Sequence, residues 1–285
     1  MEWLSDKVPL KTERGGRVFP ASDKSSDIIR ALESFAREAG VAVRLREKVL
    51  SVVTENGAVK AVRTDRGEYP CDEAIVCTGG MSYPLTGSDG DGYRFAREAG
   101  HTVVPPRPAL TGINLKGDFY KPLQGLTLKN VRLDVVRKQK TVYSDFGEML
   151  FTHFGVSGPI VLSASSYLSR ADLSETELRI DLKPALTEEV LHERIAREIA
   201  GLQPNEFFGE LLRKLVPKPL VMPLAQEVDI RANCYVGKIT EEQITRLVRT
   251  LKGLTFPITD YAPFEYAVVT AGGVRCDEVN PYTME

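Results

Sequence analysis

The sequence predicts a mixed α/β protein: an α/β part at residues 1–104, a β-rich insert at 105–183, a helical insert at 184–254 and a short return at 255–285. Three observations lead there. A strongly amphipathic stretch at 26–39 precedes several strand signals and a short apolar run ending on Thr78-Gly79-Gly80, the order of a βα unit. Prolines at 105, 106 and 108 then open a region of alternating apolar segments. From Thr187 the apolar spacing changes to a helical period and stays so to about residue 251.

Composition excludes several classes. Of 285 residues, 42% are hydrophobic, enough for a sizeable core, and 37 basic against 39 acidic residues leave a formal charge of −2. That balance offers no electrostatic footprint for nucleic acid or an anionic membrane. No apolar run approaches a membrane span, and Met1-Glu2-Trp3-Leu4-Ser5 has none of the features of a secretory signal. Cys71, Cys77, Cys234 and Cys276 are scattered without CxxC spacing, and there are three histidines. The expectation is a soluble cytoplasmic protein with reduced thiols and no metal site.

In chain order, residues 1–20 read as an extended lead-in with a turn on Gly15-Gly16. The helix at 26–39 places Ile28, Ile29, Leu32, Phe35, Ala36 and Ala39 on one face, with Ser25 or Ser26 as cap and Gly40 as stop. Residues 41–45 alternate like a short strand. Asn56-Gly57 between 49–54 and 58–64 is the strongest short hairpin signal in the chain. Asp65-Arg66-Gly67 turns the chain towards Tyr69 and a buried strand at 74–77. A β-meander as crossover in a βα unit is a device of flavin-binding doubly wound folds. A helix follows at 91–99, with Asp91 as cap and Gly100 as stop. Prolines 105, 106 and 108 are expected to break regular structure. Strands are expected at 111–115, 128–136, 141–143 and 178–182, with one helix at 159–168 capped by Ser157. Three helical faces follow, the third opening on a capping box of Thr240 with Gln243. Pro217, Pro219 and Pro223 make a link between the second and third. Strands at 256–259 and 266–270 close the reading.

Two adjacent glycines at a strand end let backbone approach a flat or bulky group. Ligands of open α/β sheets sit outside the C-terminal ends of strands. Residues 78–80 are therefore a candidate contact for a nucleotide or flavin, although a plain strand-to-loop turn uses the same residues. Thr270-Ala271-Gly272-Gly273 repeats the pattern, as if the two stretches were walls of one crevice. No GxGxxG is present, and the carboxylates of Gly87-Ser88-Asp89-Gly90-Asp91-Gly92 would repel a pyrophosphate. His153, in a loop leading towards the helix at 159–168, is the candidate proton-handling residue; a structural histidine satisfied by a carbonyl fits the same spacing. Arg14 and Arg17 are candidates to meet an anion. Gly155-Val156-Ser157-Gly158-Pro159 lacks the last glycine of GxSxG, which makes a serine hydrolase the weaker alternative. A non-catalytic lid or protein-interaction module is the other.

Four motifs occur together. They are Arg14-Gly-Gly-Arg-Val-Phe-Pro-Ala-Ser-Asp-Lys24, Cys77-Thr-Gly-Gly-Met-Ser-Tyr-Pro-Leu-Thr-Gly-Ser-Asp-Gly-Asp-Gly-Tyr93, Phe151-Thr-His-Phe-Gly-Val-Ser-Gly-Pro159 and Val269-Thr-Ala-Gly-Gly-Val274. In this order they resemble the bacterial HI0933-like, or aminoacetone-oxidase-type, NAD(P)/FAD-dependent oxidoreductases. The resemblance implies a partial FAD-binding doubly wound domain with a β-meander, interrupted by a barrel-like β insert and a small helical insert. It implies that Thr78, Gly79, Gly80, Thr270, Gly272 and Gly273 lie along FAD and that the Val49 backbone contacts it. His153 would face a small-molecule substrate, with NAD(P)H as a candidate second partner. Members of the family carry GxGxxG before the part seen here and further flavin contacts after it. The expectation is an internal fragment that binds FAD weakly or not at all alone.

Overall fold

The computed structural model describes residues 2–13, 16–168 and 173–284; Arg14 and Gly15 lie outside them. The chain forms two units, Met1–Ala74 and Ile75–Glu285.

In the first unit the Asn-Gly signal is realised. Strands β3 (Val49–Glu55) and β4 (Ala58–Thr64) close on Asn56 and Gly57, both at positive φ (53° and 77°), and Glu55 pairs with Ala58. Two positive-φ residues give a turn whose twist matches that of the flanking strands. The short strand β5 (Glu68–Pro70) completes the meander. Before it come a one-turn helix α1 (Glu2–Ser5), an antiparallel pair β1 (Leu10–Glu13) and β2 (Arg17–Pro20), and helix α2 (Ser25–Glu38). Gly40, at φ 72°, ends α2 as expected, its N–H bonding to the Arg37 carbonyl. The start of α2 differs from the reading. Ser25 and Ser26 are inside the helix, Lys24 holds the cap position without a side-chain bond, and Ser22 bonds the Asp27 carboxylate instead. Residues 41–45 form no strand, and Val43 and Leu45 stand exposed.

The second unit is organised by a closed six-stranded antiparallel barrel. Its strands are β7 (Ile113–Leu115), β8 (Thr127–Arg137), β9 (Lys140–Phe151), β10 (Gly155–Ser157), β11 (Thr176–Asp181) and β12 (Leu254–Tyr261), in the order β10-β7-β12-β11-β8-β9. Closure removes every edge. Leu133, Val135, Met149, Phe151, Val156, Leu178 and Ile180, all fully or almost fully buried, fill the interior. Helix α4 (Pro159–Leu168) lies against β9, with Ile160, Val161, Ala164 and Leu168 turned into the core. The Gly158 carbonyl accepts its first helical bonds; Ser157 is the last residue of β10 and does not cap it.

The helical insert is an excursion between two paired barrel strands: Ile180 of β11 lies opposite Leu254 of β12. It holds α5 (Glu188–Ala200), α6 (Phe208–Leu215), α7 (Val221–Glu227) and α8 (Glu241–Lys252). Thr187 caps α5, and both bonds of the Thr240–Gln243 capping box are made at α8. The proline link conceals α7. Pro223 falls in its first turn, where a missing N–H costs nothing. One continuous apolar cluster joins the insert to the barrel.

Helix α3 (Asp91–Glu98) ends before Gly100 as expected, but Gly90 occupies its cap position, and Asp89, not Asp91, accepts the Asp91 N–H at 3.2 Å. The prolines do not break the chain after it. Strand β6 (Val103–Ala109) runs through all three and pairs with β13 (Val269–Val274) in a two-stranded ribbon with a bulge between Ala271 and Gly273. Each ribbon strand has an open edge on which proline is tolerated.

The buried strand expected at 74–77 is absent. Residues 73–80 have no secondary structure, and Ile75 is 89% exposed. All strand pairs named among the described residues are antiparallel, so the parallel sheet of a doubly wound domain does not form there. Among the described residues no helix is long and apolar enough to cross a membrane, and all four cysteines are free thiols.

Candidate functional site

The two glycine-ended stretches meet. Thr270 Oγ1 accepts hydrogen bonds from the Met81 N–H (2.8 Å) and the Ser82 N–H (3.1 Å), and lies 3.0 Å from Ser82 Oγ. A sequence separation of nearly two hundred residues is thereby closed by one hydroxyl. Gly80 makes the approach possible. A Cβ there would lie 2.7 Å from Thr270 Cβ and 3.2 Å from the Tyr93 hydroxyl. Tyr93, in the first turn of α3, is the common neighbour; a Cβ on Gly273 would lie 3.1 Å from its ring. Burial raises the Tyr93 pKa.

The remaining glycines have similar local reasons. Gly79 takes φ 74°, and a side chain there would meet Ser88 Oγ at 2.8 Å. Gly272, at φ 87° in the bulge, lies so close to the Pro105 carbonyl that a Cβ would be 2.6 Å from it. The Thr78 side chain sits against Gly92 at the start of α3. The glycine faces are thus filled by this chain's own atoms. What stays open is the backbone: the N–H groups of Thr78, Gly79 and Gly80 make no hydrogen bond among the described residues, and Thr78 and Gly79 are exposed. Three successive free donors suit a flat, acceptor-rich cofactor; the glycine Cβ positions do not supply the cradle.

His153 stands elsewhere than the spacing suggested. Strand β10 separates it from α4. His153 and Phe154 form the tip of the β9–β10 hairpin, closed by Thr152 N–H to the Gly155 carbonyl at 2.9 Å. The His153 ring is exposed and meets Phe154 edge-on at 5.0 Å; Phe154 meets Tyr266 at 5.9 Å and covers Gly112. The segment 264–270 carries Tyr266 into this aromatic row and Thr270 to the Met81 and Ser82 amides. The Phe264 carbonyl also accepts the Tyr83 N–H at 3.2 Å. The hairpin tip and the 78–83 loop are therefore tied to the same short segment. Two buried side-chain atoms near the tip, Asn114 Oδ1 and Thr152 Oγ1, have no hydrogen-bond partner among the described residues.

Other candidates fall outside this arrangement. Val49 lies in the first unit, where its residue pairs with Thr64 in the meander. Arg17 pairs with Glu13 and sits over the Phe19 ring. Ser157 has no histidine or carboxylate partner among the described residues, which leaves the hydrolase alternative without its triad. Sequence reasoning missed Tyr93 and Tyr266. The Gly-Asp-Gly-Tyr run was the available signal for the first; nothing in the local sequence marks the second.

The family model described as HI0933-like protein barrel and H2TH domain matches residues 107–269, more than half of the chain. The 3-dehydro-bile acid delta(4,6)-reductase of Clostridium scindens is 29% identical over 288 residues, covering 100% of this chain and 69% of that protein. The ribosomal RNA dihydrouridine synthase of Escherichia coli is 29% identical over 278 residues, with 95% and 64% covered. Its namesake in Haemophilus influenzae is 28% identical over 296 residues, with 98% and 69% covered. The chain thus spans between 64% and 69% of the length of these curated relatives.

Proposed function

The chain belongs to the HI0933-like family, and from that premise we propose that it is part of a FAD-dependent oxidoreductase that reduces a small unsaturated molecule. The activities named for the relatives support the direction of the chemistry. One is a reductase, and the other forms a product defined by two added hydrogens. The observation that carries the reading is the junction of residues 80–82 with Thr270, beside the free N–H groups of residues 78–80.

FAD, when bound, supplies hydride transfer. The chain's residues do the rest. The N–H groups of Thr78, Gly79 and Gly80 would donate to acceptors of the cofactor, while Thr270 holds the following turn through Met81 and Ser82. Gly272 and Gly273 form the opposite strand, kept close by the bulge. The Phe154–Tyr266 row offers an apolar face for a planar substrate, and exposed His153 holds the proton that accompanies reduction. NAD(P)H serves as the source of reducing equivalents.

The test is anaerobic reduction and substrate turnover by the flavin-loaded whole enzyme to which this chain is proposed to belong, and by its His153→Ala variant. The variant is expected to keep its flavin and flavin reduction by NAD(P)H, and to lose about a hundredfold or more in turnover. Unchanged turnover would remove His153 from the mechanism.

A further inference from the structure

Where the barrel meets the helical insert, a pocket of about 290 Å³ opens between the start of β8, the turn after β11 and the end of α6. Leu128, Val131, Leu182, Leu215 and Leu220 form much of its wall. Lys183 and Lys129 are the charged residues lining it. Lys183 is half-buried, and its ammonium pairs with no carboxylate among the described residues. The nearby acids are occupied. Asp181 Oδ2 takes Lys252 (2.7 Å) and Arg132 (3.2 Å), and Asp181 Oδ1 accepts the Lys183 backbone N–H (2.8 Å). Asp134 takes Arg179 at 3.0 Å.

A second half-buried cation, Arg194 of α5, stands close enough to act on Lys183 and is likewise without a carboxylate partner among the described residues. Burial first, and the Arg194 charge second, hold the Lys183 pKa below its usual range. Neighbouring partly desolvated cations without a counter-charge are unfavourable, and proteins normally pair them. The pocket beside Lys183 has room for what would pair it.

The surroundings define that anion. The walls are mainly apolar, so it carries an apolar body. The C-terminal end of α6, at Leu215, borders the pocket, and the carbonyls of a helix C-terminus disfavour a multiply charged anion. We propose that this pocket binds a small monocarboxylate with an apolar body, its carboxylate on the Lys183 ammonium and its body against Leu128, Val131, Leu215 and Leu220. The volume is at the lower end for ligand cavities, which suits a molecule of the size of benzoate or hexanoate. Occupancy joins β8, the β11–α5 turn and the link after α6, and so braces the insert against the barrel.

The probes are sodium benzoate, sodium hexanoate and inorganic phosphate, read by isothermal titration and thermal melting of the full chain. Benzoate and hexanoate are expected to bind saturably and raise the melting temperature. Lys183→Met and Lys183→Gln are expected to weaken them at least about tenfold. In the wild type the side-chain methylene signal of Lys183 should shift with benzoate, and its titration should move upward, a readout that needs no variant to fold. Absence of saturable carboxylate binding, equal affinity in both variants, an unmoved Lys183 signal, or phosphate binding more tightly than either carboxylate would each overturn the assignment.

Discussion

Strand β11 and the segment 74–77 make an instructive pair. The first reads Thr-Glu-Leu-Arg-Ile-Asp, half of it charged; the second reads Ala-Ile-Val-Cys, wholly apolar. Yet Leu178 and Ile180 are fully buried in a closed barrel, while Ile75 is 89% exposed on a segment with no strand partner. Hydrophobicity alone therefore does not make a strand. β11 has β8 on one side and β12 on the other, and its alternation matches the single face it must bury. The 74–77 run carries the pattern of a strand buried on both faces, and such a strand needs neighbours on both sides.

The largest effect should come from the charged side of β11. Asp181 is 2% exposed and anchors Lys252 at the end of α8, whose ammonium also donates to the Lys183 and Leu186 carbonyls. Asp181→Ala leaves that cation uncompensated, and chemical denaturation of the barrel should show a loss of about 3–5 kcal/mol. Next, Leu178→Ala should cost about 2–5 kcal/mol through its cavity, whereas Ile75→Ala should stay within about 0.5 kcal/mol. Equal costs at the two sites would break the contrast between them.

Gly80→Ala tests the crevice. The added methyl must displace Thr270, and an overpacking cost of about 1–3 kcal/mol is expected, together with loss of the protection from hydrogen exchange that Thr270 gives the Met81 and Ser82 amides. A smaller effect belongs to Tyr261, whose hydroxyl donates to the Leu168 carbonyl at 2.5 Å. Burial pushes its pKa from 10.0 up to about 12. Its contribution to stability is therefore complete below the unfolded-state value and is lost as pH climbs through the folded one. Tyr261→Phe should cost about 1 kcal/mol near neutrality and flatten the fall in stability over that alkaline window. Tyr143, raised to about 12 by burial, and Tyr93, raised by burial, contribute to the slope that remains.

Much of the fold was legible where the signal was local. Asn56-Gly57, the Thr240–Gln243 box, Gly40 and the helix at 159–168 each depend on a few adjacent residues, and each formed. The failures have non-local causes. Residues 41–45 and 74–77 lacked neighbouring strands. The prolines of β6 were read as breakers because nothing local reveals an open ribbon edge. Barrel closure, and helix α7 behind three prolines, depend on packing between distant segments. At the site, the pairing of residues 78–80 with 270–273 was legible as a repeated motif. The reason for the glycines was not: Thr270, Ser88, Tyr93 and the Pro105 carbonyl occupy the space they leave.

The free N–H groups of residues 78–80 are the point at which structure and proposed function meet. Amide resonances of the isotopically labelled chain, followed during addition of FAD, test that directly and also register weak binding. Concentration-dependent shifts are expected, centred on Thr78, Gly79 and Gly80, extending to Gly272 and Gly273 and reduced by Gly80→Ala. Shifts confined to other regions, or none at millimolar FAD, would contradict the proposed contact.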